Sequence, residues 1–506
     1  MSDREAADFS TPSSNEDSRA TTKKRLLVAS HCVVGLLIIF VATWNIGTAD
    51  AAPDEYAYRD CAHRYIEGIF SCNREHPLLT KEIIGILGAP FGTSIDAARL
   101  VTALFAIATA AFCYLFVTDC TDRVGGLIAA AAWGLLPQAG VEGATTLEAI
   151  RIDRFGLLDP YVACFIALAL WTGWRWTTRG GALWAALTGA ACVAAACSKA
   201  PGAFAVPVIC LVPLVARRHN MSVRRELPIV LGAGAIVFIA SYAPLGPARA
   251  ASAIAYMFKA QTAHASSGML VEVANHLYLH TPWWSDIAFA ISGLTWPIAL
   301  VLGIFLLVGM ACFPKPGAYA LCACASIFIG VGVGLHLSLP HYWIDWEPGV
   351  IVVASLGVRS LFAHKRLVFL GSALALVLVG GAIWTIGNVA TLQVGPYQEI
   401  AKAASCEHPC VVQFAGYDDI LINYVSTNDA VVLGPPHARS SVVSTGIMVE
   451  RSDVRVRPAL IVIDPNALVL HPKWTKDAKY FEARANHLGY RRVPTKGRIK
   501  VWALIK

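Results

Sequence analysis

From residue 26 to residue 389 one apolar run follows another, each long enough to cross a bilayer, with short polar connections between them. Only 40 of the chain's 41 Lys/Arg and 34 Asp/Glu residues fall in those 364 positions, about one in nine. A soluble globular domain carries roughly 25% charged residues. A single soluble domain, a disordered chain, a collagen-like chain and a small disulfide scaffold are therefore all excluded. The fold class expected is mainly α, a multi-span helical membrane protein. The formal charge of +7 is no nucleic-acid signal, because much of the excess sits in short loops beside apolar runs.

Eleven spans are expected, at about 26–46, 98–117, 124–140, 158–176, 182–198, 200–216, 227–246, 287–312, 318–337, 342–362 and 367–388. Residues 1–25 read as a disordered tail, ending in Lys23, Lys24 and Arg25 before the first run. A cleaved signal peptide would open on its basic segment, and this tail does not. The positive-inside rule places the amino terminus in the cytoplasm of a multi-pass plasma (inner) membrane protein. Arg123, Arg175, Arg179, Arg217, Arg218, Arg224, Arg225, Lys315, Lys365 and Arg366 then fall in inside loops. Ser198-Lys199-Ala200-Pro201-Gly202 interrupts one long apolar run and reads as a turn between two short helices.

The membrane domain expected is 26–389, with outside loops at 47–97, 141–157 and 247–286. Residues 390–506 change character. Strand-like runs at Val411–Ala415, Ala430–Leu433, Leu460–Ile463 and Lys500–Ile505 alternate with helix-like stretches near 397–405, 417–425 and 477–488. This reads as a small extracytoplasmic α/β domain. Cys61 with Cys72, and Cys406 with Cys410, can form disulfides in an oxidising compartment. Cys406-Glu-His-Pro-Cys410 also has half of a zinc pattern, without a second ligand pair nearby. Trp283, Trp284, Trp343 and Trp346 can anchor the aromatic belt or stack on a sugar.

Four pieces carry chemistry, and each has a plain structural alternative. Asp54 and Glu55 follow the first span directly, where an ionisable pair is functional or merely caps a loop. Glu75-His76-Pro77-Leu78-Leu79-Thr80-Lys81 offers His76 and Lys81 to an anionic group, or forms an interfacial helix with a snorkelling lysine. In Arg151-Ile-Asp153-Arg154-Phe-Gly-Leu-Leu158-Asp159-Pro160, Asp159 stands at the mouth of the fourth span or caps its helix. Lys199 is a lone cation between apolar spans and needs a partner. The expected topology puts all four on one membrane face. Cations that stabilise a departing phosphate, and a carboxylate that takes an acceptor's proton, suit transfer from a lipid phosphate. No phosphate-cradling glycine loop of the common kinds occurs.

The order of these segments is distinctive. An Asp-Glu pair follows span one, then come a His-Pro-Leu segment, Ala97-Ala98-Arg99-Leu100, Asp122-Arg123-Val124-Gly125-Gly126, the Leu-Leu-Asp-Pro mouth and the Ser-Lys break. That order resembles the GT-C membrane glycosyltransferases over about residues 26–220. Within them it is similar to the branch of protein O-mannosyltransferases and bacterial lipid A aminoarabinose and galacturonic acid transferases. His341-Tyr342-Trp343 with Pro348 loosely matches a late aromatic-proline segment. The resemblance implies transfer of a sugar, with inversion, from a polyprenyl-phosphate carrier to a hydroxyl of a lipid, glycan or protein on the extracytoplasmic face. It implies Asp54 as the base, Glu55 as helper or second candidate, and Asp159 as an orienting or acceptor-binding group. His76, Lys81 and Lys199 would lie near the carrier phosphate, with Arg59 and Arg154 as second-rank candidates. It also brings in a divalent metal near Asp54 and Glu55, which nothing in the sequence demands. Two departures stand out. Leu78 replaces a second proline, and Tyr56 stands where relatives carry a small residue.

Two other classes compete. A transporter or flippase of lipid-linked or polar solutes would favour internal repeats and polar groups at mid-bilayer, and neither is seen here. A membrane scaffold presenting the tail domain would make the Asp54, Asp159 and Lys199 group incidental.

Overall fold

The computed structural model describes residues 14–52, 54–139, 151–216, 221–269, 271–274 and 276–395, and beyond these mainly the strands of the tail. Among the described residues α-helices run in the order α1 (Ser14–Thr43), α2 (Glu55–Ile66), α3 (Leu79–Gly88), α4 (Ile95–Cys120), α5 (Arg123–Leu135), α6 (Asp159–Arg179), α7 (Ala182–Ser198), α8 (Val206–Ala216), α9 (Met221–Tyr242), α10 (Pro247–Ser267), α11 (Ser285–Leu294), α12 (Trp296–Cys312), α13 (Pro314–Ile329), α14 (Glu347–Ala363) and α15 (Val368–Ala390).

By length and apolarity five of these elements can cross a membrane: α1, α4, the last part of α9 with its following turn, α13 with its π-helical extension, and α15. A sixth is added if α11 and α12 count as one broken span. The expected runs at 124–140, 182–198 and 200–216 appear as the shorter apolar helices Arg123–Leu135, Ala182–Ser198 and Ala200–Ala216. The run expected at 287–312 is not one helix. It bends by 110° between α11 and α12, where Thr295 adopts a positive φ of 69° and Pro297 follows one residue into α12. A β-branched residue with positive φ cannot continue a helix, so the break is built into the backbone.

The break at Lys199 has a similar cause. Its backbone is extended, with φ −157° and ψ 144°, and Pro201 opens a short 3-10 turn, Ala200–Ala205, before α8. Helix starts are capped where the sequence allows. Ser94 accepts from the Ala97 amide at 3.2 Å and Asp122 from the Gly125 amide at 2.9 Å. The α12 and α14 backbones pack closely because Gly309 and Gly357 face Val353 O and Phe305 O, where any Cβ would collide. The main core runs through α4, α5, α6, α12, α13 and α14, and holds Trp133, Phe116, Leu170, Phe305 and Ile351. Trp343 is fully buried in it, whereas Trp283 is 57% exposed, so of these two only Trp283 is placed to act as an interfacial anchor.

Charge collects at two opposite ends of the bundle. At one end Asp119 of α4 holds Arg175 and Arg179 of α6, and Asp122 holds Arg359 of α14. The other end carries α2, α3, the start of α6 and the Lys199 turn. There a disulfide joins Cys61 of α2 to Cys72, and the Tyr65 hydroxyl donates to Cys72 O at 2.8 Å. The bridge closes an 11-residue separation, and such a loop is worth about 3 kcal/mol through the unfolded chain. We expect the double Cys61→Ser/Cys72→Ser variant to unfold at a clearly lower temperature than wild type in detergent. An unchanged midpoint would show that the bridge does not hold the loop.

Between α10 and α11 lies a short hairpin, β1 (Val271–Val273) antiparallel to β2 (His276–Tyr278). In the tail the described strands are β3 (Val411–Ala415), β4 (Val431–Leu433), β5 (Val442–Ser444), β6 (Ile447–Val449), β7 (Leu460–Ile463), β8 (Tyr490–Val493) and β9 (Lys500–Leu504). Five of them form one sheet in the order β4-β3-β7-β9-β8. Strands β4, β3 and β7 are parallel, and β9 is antiparallel to both of its neighbours. Strands β5 and β6 pair as a separate antiparallel hairpin. Parallel neighbours need crossover segments; of the helix-like stretches expected near 397–405 and 417–425, only the second falls between parallel neighbours, β3 and β4. Those two stretches, and Cys406 with Cys410, lie outside the described residues.

Candidate active site

Asp54 precedes α2 in the N-cap position, yet its carboxylate caps nothing. It accepts instead from the Tyr58 hydroxyl, one turn on, at 3.2 Å, and it is only half-buried. Glu55 behaves differently. It is 1% exposed and takes four donors: Arg99 Nε at 2.8 Å, Arg99 Nη2 at 2.7 Å, the Ala52 amide at 2.7 Å and the Gly156 amide at 2.5 Å. Arg99 of α4 also donates to the carbonyls of Ile46, Ala49 and Asp50, each at 2.9 Å. The pair therefore fastens the first loop to α4. Adjacent in sequence, the two acids have separate tasks, and Glu55 has no free oxygen for a reacting proton.

Asp159 is the first residue of α6, and Leu158 occupies the cap position. Its Oδ1 accepts from Lys199 Nζ at 2.5 Å, across 40 residues of sequence. Both side chains are buried. Lys199 Nζ also lies 3.6 Å from the centre of the Tyr342 ring, a close cation–π contact. His341 Nε2 stands 3.8 Å from Asp159 Oδ2, too far for a hydrogen bond. Residues Tyr342–Asp345 form a 3-10 turn before α14.

Electrostatics ties these groups into one cluster. Burial, reinforced by Asp54 and Asp159, pushes the Tyr58 phenol well above its ordinary value. His341 is lowered by burial and by Lys199, although Asp159 and Asp54 oppose the shift. His76, edge-on to Tyr58 with ring centres 5.8 Å apart, is lowered by burial and then by Lys199 and Lys81. Both imidazoles are thus neutral at neutral pH. The Nδ1 atom of His76 is buried without a hydrogen-bond partner. Asp54 and Asp159, drawn from separate segments, lie within electrostatic reach of both Tyr58 and Tyr342, and Lys199 lies within reach of Tyr342.

The other expected cations are engaged elsewhere. Lys81 Nζ donates to Asn73 O at 2.6 Å, Asn73 Oδ1 at 3.0 Å and His76 O at 3.2 Å, which clamps the turn before α3. Burial draws its ammonium down to about 7, against Glu75 and Glu82. Arg154 is buried and donates to Val41 O and Trp44 O, pinning the end of α1. Arg59 pairs with Asp60 and faces a groove lined by Ala62, Ile84, Gly88 and Ala97. Of the five residues expected beside a carrier phosphate, Lys199 and the neutral His76 stand in the Asp54–Asp159 cluster. Among the described residues no three His, Cys, Asp or Glu side chains converge as a metal site. A metal held by both acids would have to displace Arg99 and two amides from Glu55.

Two residues went unnoticed in the sequence reading. Asp345 is fully buried, and neither of its oxygens has a partner. Asp286, in the first turn of α11, accepts from the Ser338 hydroxyl through Oδ1, and its Oδ2 makes no well-formed hydrogen bond. The signal was present: an acid between tryptophans in Trp343-Ile344-Asp345-Trp346, beside an apolar run, is costly to bury without a task.

Comparison with known proteins agrees with this architecture. Residues 75–244 match the family model described as dolichyl-phosphate-mannose-protein mannosyltransferase. No curated protein sequence matches the chain. The structure of ArnT from Cupriavidus metallidurans in the apo state is similar over 96% of this chain and 98% of that one, at 16% identity and a TM-score of 0.58. The same protein bound to undecaprenyl phosphate matches with the same coverage and TM-score at 17% identity. The archaeal oligosaccharyltransferase AglB from Archaeoglobus fulgidus, in complex with an inhibitory peptide and a dolichol-phosphate, matches 95% of this chain and 74% of its own, at 12% identity and a TM-score of 0.50. The chain therefore carries the fold of the GT-C membrane glycosyltransferases, with a stretch at 75–244 that matches the protein mannosyltransferase family model.

Proposed function

We propose that this protein transfers a sugar from a polyprenyl-phosphate carrier to a hydroxyl of a lipid, glycan or protein acceptor, on the extracytoplasmic face of the plasma membrane. The observation that carries this reading is the buried Lys199–Asp159 pair beside Asp54, a half-buried carboxylate bonded to a single phenol. ArnT of C. metallidurans has been solved with undecaprenyl phosphate, and the likeness of fold makes the same class of carrier the natural donor here. The topology that goes with it is eleven crossings, a cytoplasmic amino terminus, a catalytic part at 26–389 and an extracytoplasmic tail domain at 390–506.

In the proposed reaction Asp54 takes the proton of the acceptor hydroxyl. The acceptor oxygen bonds to the anomeric carbon as the bond from that carbon to the phosphate oxygen breaks, and the back-side approach inverts the centre. Polyprenyl phosphate leaves with the electron pair, and Lys199 stabilises the added charge. Asp159 holds the ammonium in place and keeps it protonated in a buried setting. The neutral His76, with its free Nδ1, offers a hydrogen bond to the same phosphate.

Binding of undecaprenyl phosphate to the purified full-length protein tests this reading. Removing Lys199 alone would strand the Asp159 charge, so the double variant Asp159→Asn/Lys199→Gln is the cleaner probe. We expect it to fold and to bind the carrier at least about tenfold more weakly, the loss of one charge-assisted contact. A folded wild-type protein that binds no carrier phosphate would overturn the proposal.

A further inference from the structure

Asp286 and Asp345 take no part in the steps above, yet they adjoin the same cluster. They come from separate elements, the first turn of α11 and the end of the 342–345 turn. Both feel the charges of Lys199 and Asp159. Three of their four carboxyl oxygens are buried without a well-formed hydrogen bond, Asp286 Oδ2, Asp345 Oδ1 and Asp345 Oδ2, and the Trp346 indole acts on Asp286. A buried carboxyl left this way costs on the order of 1–3 kcal/mol or more, and folded proteins pair nearly all such atoms. Among the described residues the ammonium that acts on both, Lys199, is already bonded to Asp159. A carboxyl accepts a hydrogen bond when ionised and can donate one when protonated. A hydroxyl group answers both needs, and an amine answers the first.

We infer that Asp286 and Asp345 form the sugar-recognising wall of the site: their free oxygens bond hydroxyl or amine groups of the transferred sugar and disfavour a sugar that bears its own carboxylate. This rests on the transferase reading above. A uronic acid would bring a fourth carboxyl among three that share one paired ammonium, and the resulting repulsion is strong where water is excluded.

The test uses the full-length protein in nanodiscs with three probes: undecaprenyl phosphate alone, undecaprenyl phosphate bearing a neutral hexose, and undecaprenyl phosphate bearing a uronic acid. Wild type should hold the hexose carrier at least about tenfold tighter than the uronic carrier. Asp345→Leu should erase that preference while leaving the affinity for undecaprenyl phosphate alone and the unfolding midpoint in place. Asp345→Asn and Asp286→Asn keep the side-chain shape and should narrow the same ratio, which protects the test if the Leu variant fails to fold. An unchanged hexose-to-uronic ratio in the folded variants overturns the inference. So does an equal loss for all three probes, which would place the acids at the phosphate. If wild type does not bind undecaprenyl phosphate at all, the transferase reading falls and takes the wall with it. Normal carrier binding without sugar discrimination removes the wall alone.

Discussion

Asp54→Asn should abolish sugar transfer and leave the protein otherwise intact. Loss of a general base lowers turnover by roughly 10²–10⁴-fold. The structural cost is small because Asp54 is half-buried and caps no helix. Its one hydrogen bond, from the Tyr58 hydroxyl, has an equally placed acceptor in the asparagine carbonyl. Turnover of a loaded carrier, the unfolding midpoint and the affinity for undecaprenyl phosphate should be measured together. Turnover should fall, and the other two should hold. A variant with full activity would remove Asp54 from the role of base.

Glu55→Ala should also end activity, for a different reason. It leaves the Arg99 guanidinium buried with no counter-charge and the Ala52 and Gly156 amides without their acceptor. Breaking a buried ion pair from one side costs about 3–5 kcal/mol. The unfolding midpoint should fall steeply, or the protein should fail to accumulate in the membrane. Removing both partners, as in Glu55→Leu/Arg99→Leu, should recover part of the loss in stability, because no charge is then stranded. The contrast between neighbours is the informative result. If Glu55→Ala melted like wild type and lost only turnover, Glu55 would be a reacting group, and the division of labour between the two acids would have to be reversed.

That division shows where sequence reasoning stops. Asp54 and Glu55 are equivalent by position, since both follow the first span. They differ because helix geometry turns Glu55 toward Arg99, 44 residues away, and turns Asp54 toward Tyr58. Lys81, and in second rank Arg154, were plausible phosphate ligands by residue type. Each is spent on backbone carbonyls that no spacing rule connects to it. The pairing of Asp159 with Lys199 was half legible: a lone cation between apolar spans must find a partner, but the sequence does not say which. The bend at Thr295 escaped notice because apolarity continues across it, and only its positive φ and the proline that follows reveal the break.

What the amino-acid order settled unaided was the solvent and the sequence of parts. Apolar runs too long for a soluble core require a helical membrane protein, since only there are all backbone groups satisfied without water. The succession of acid pair, His-Pro segment, Asp-Pro mouth and Ser-Lys break carried the likeness to a glycosyltransferase fold. Tertiary structure alone decided which charged side chains are free to react and which serve as fasteners. That choice depends on the faces the helices present to one another. A buried charge takes whatever partner packing brings within about 3 Å, however far away it lies along the chain.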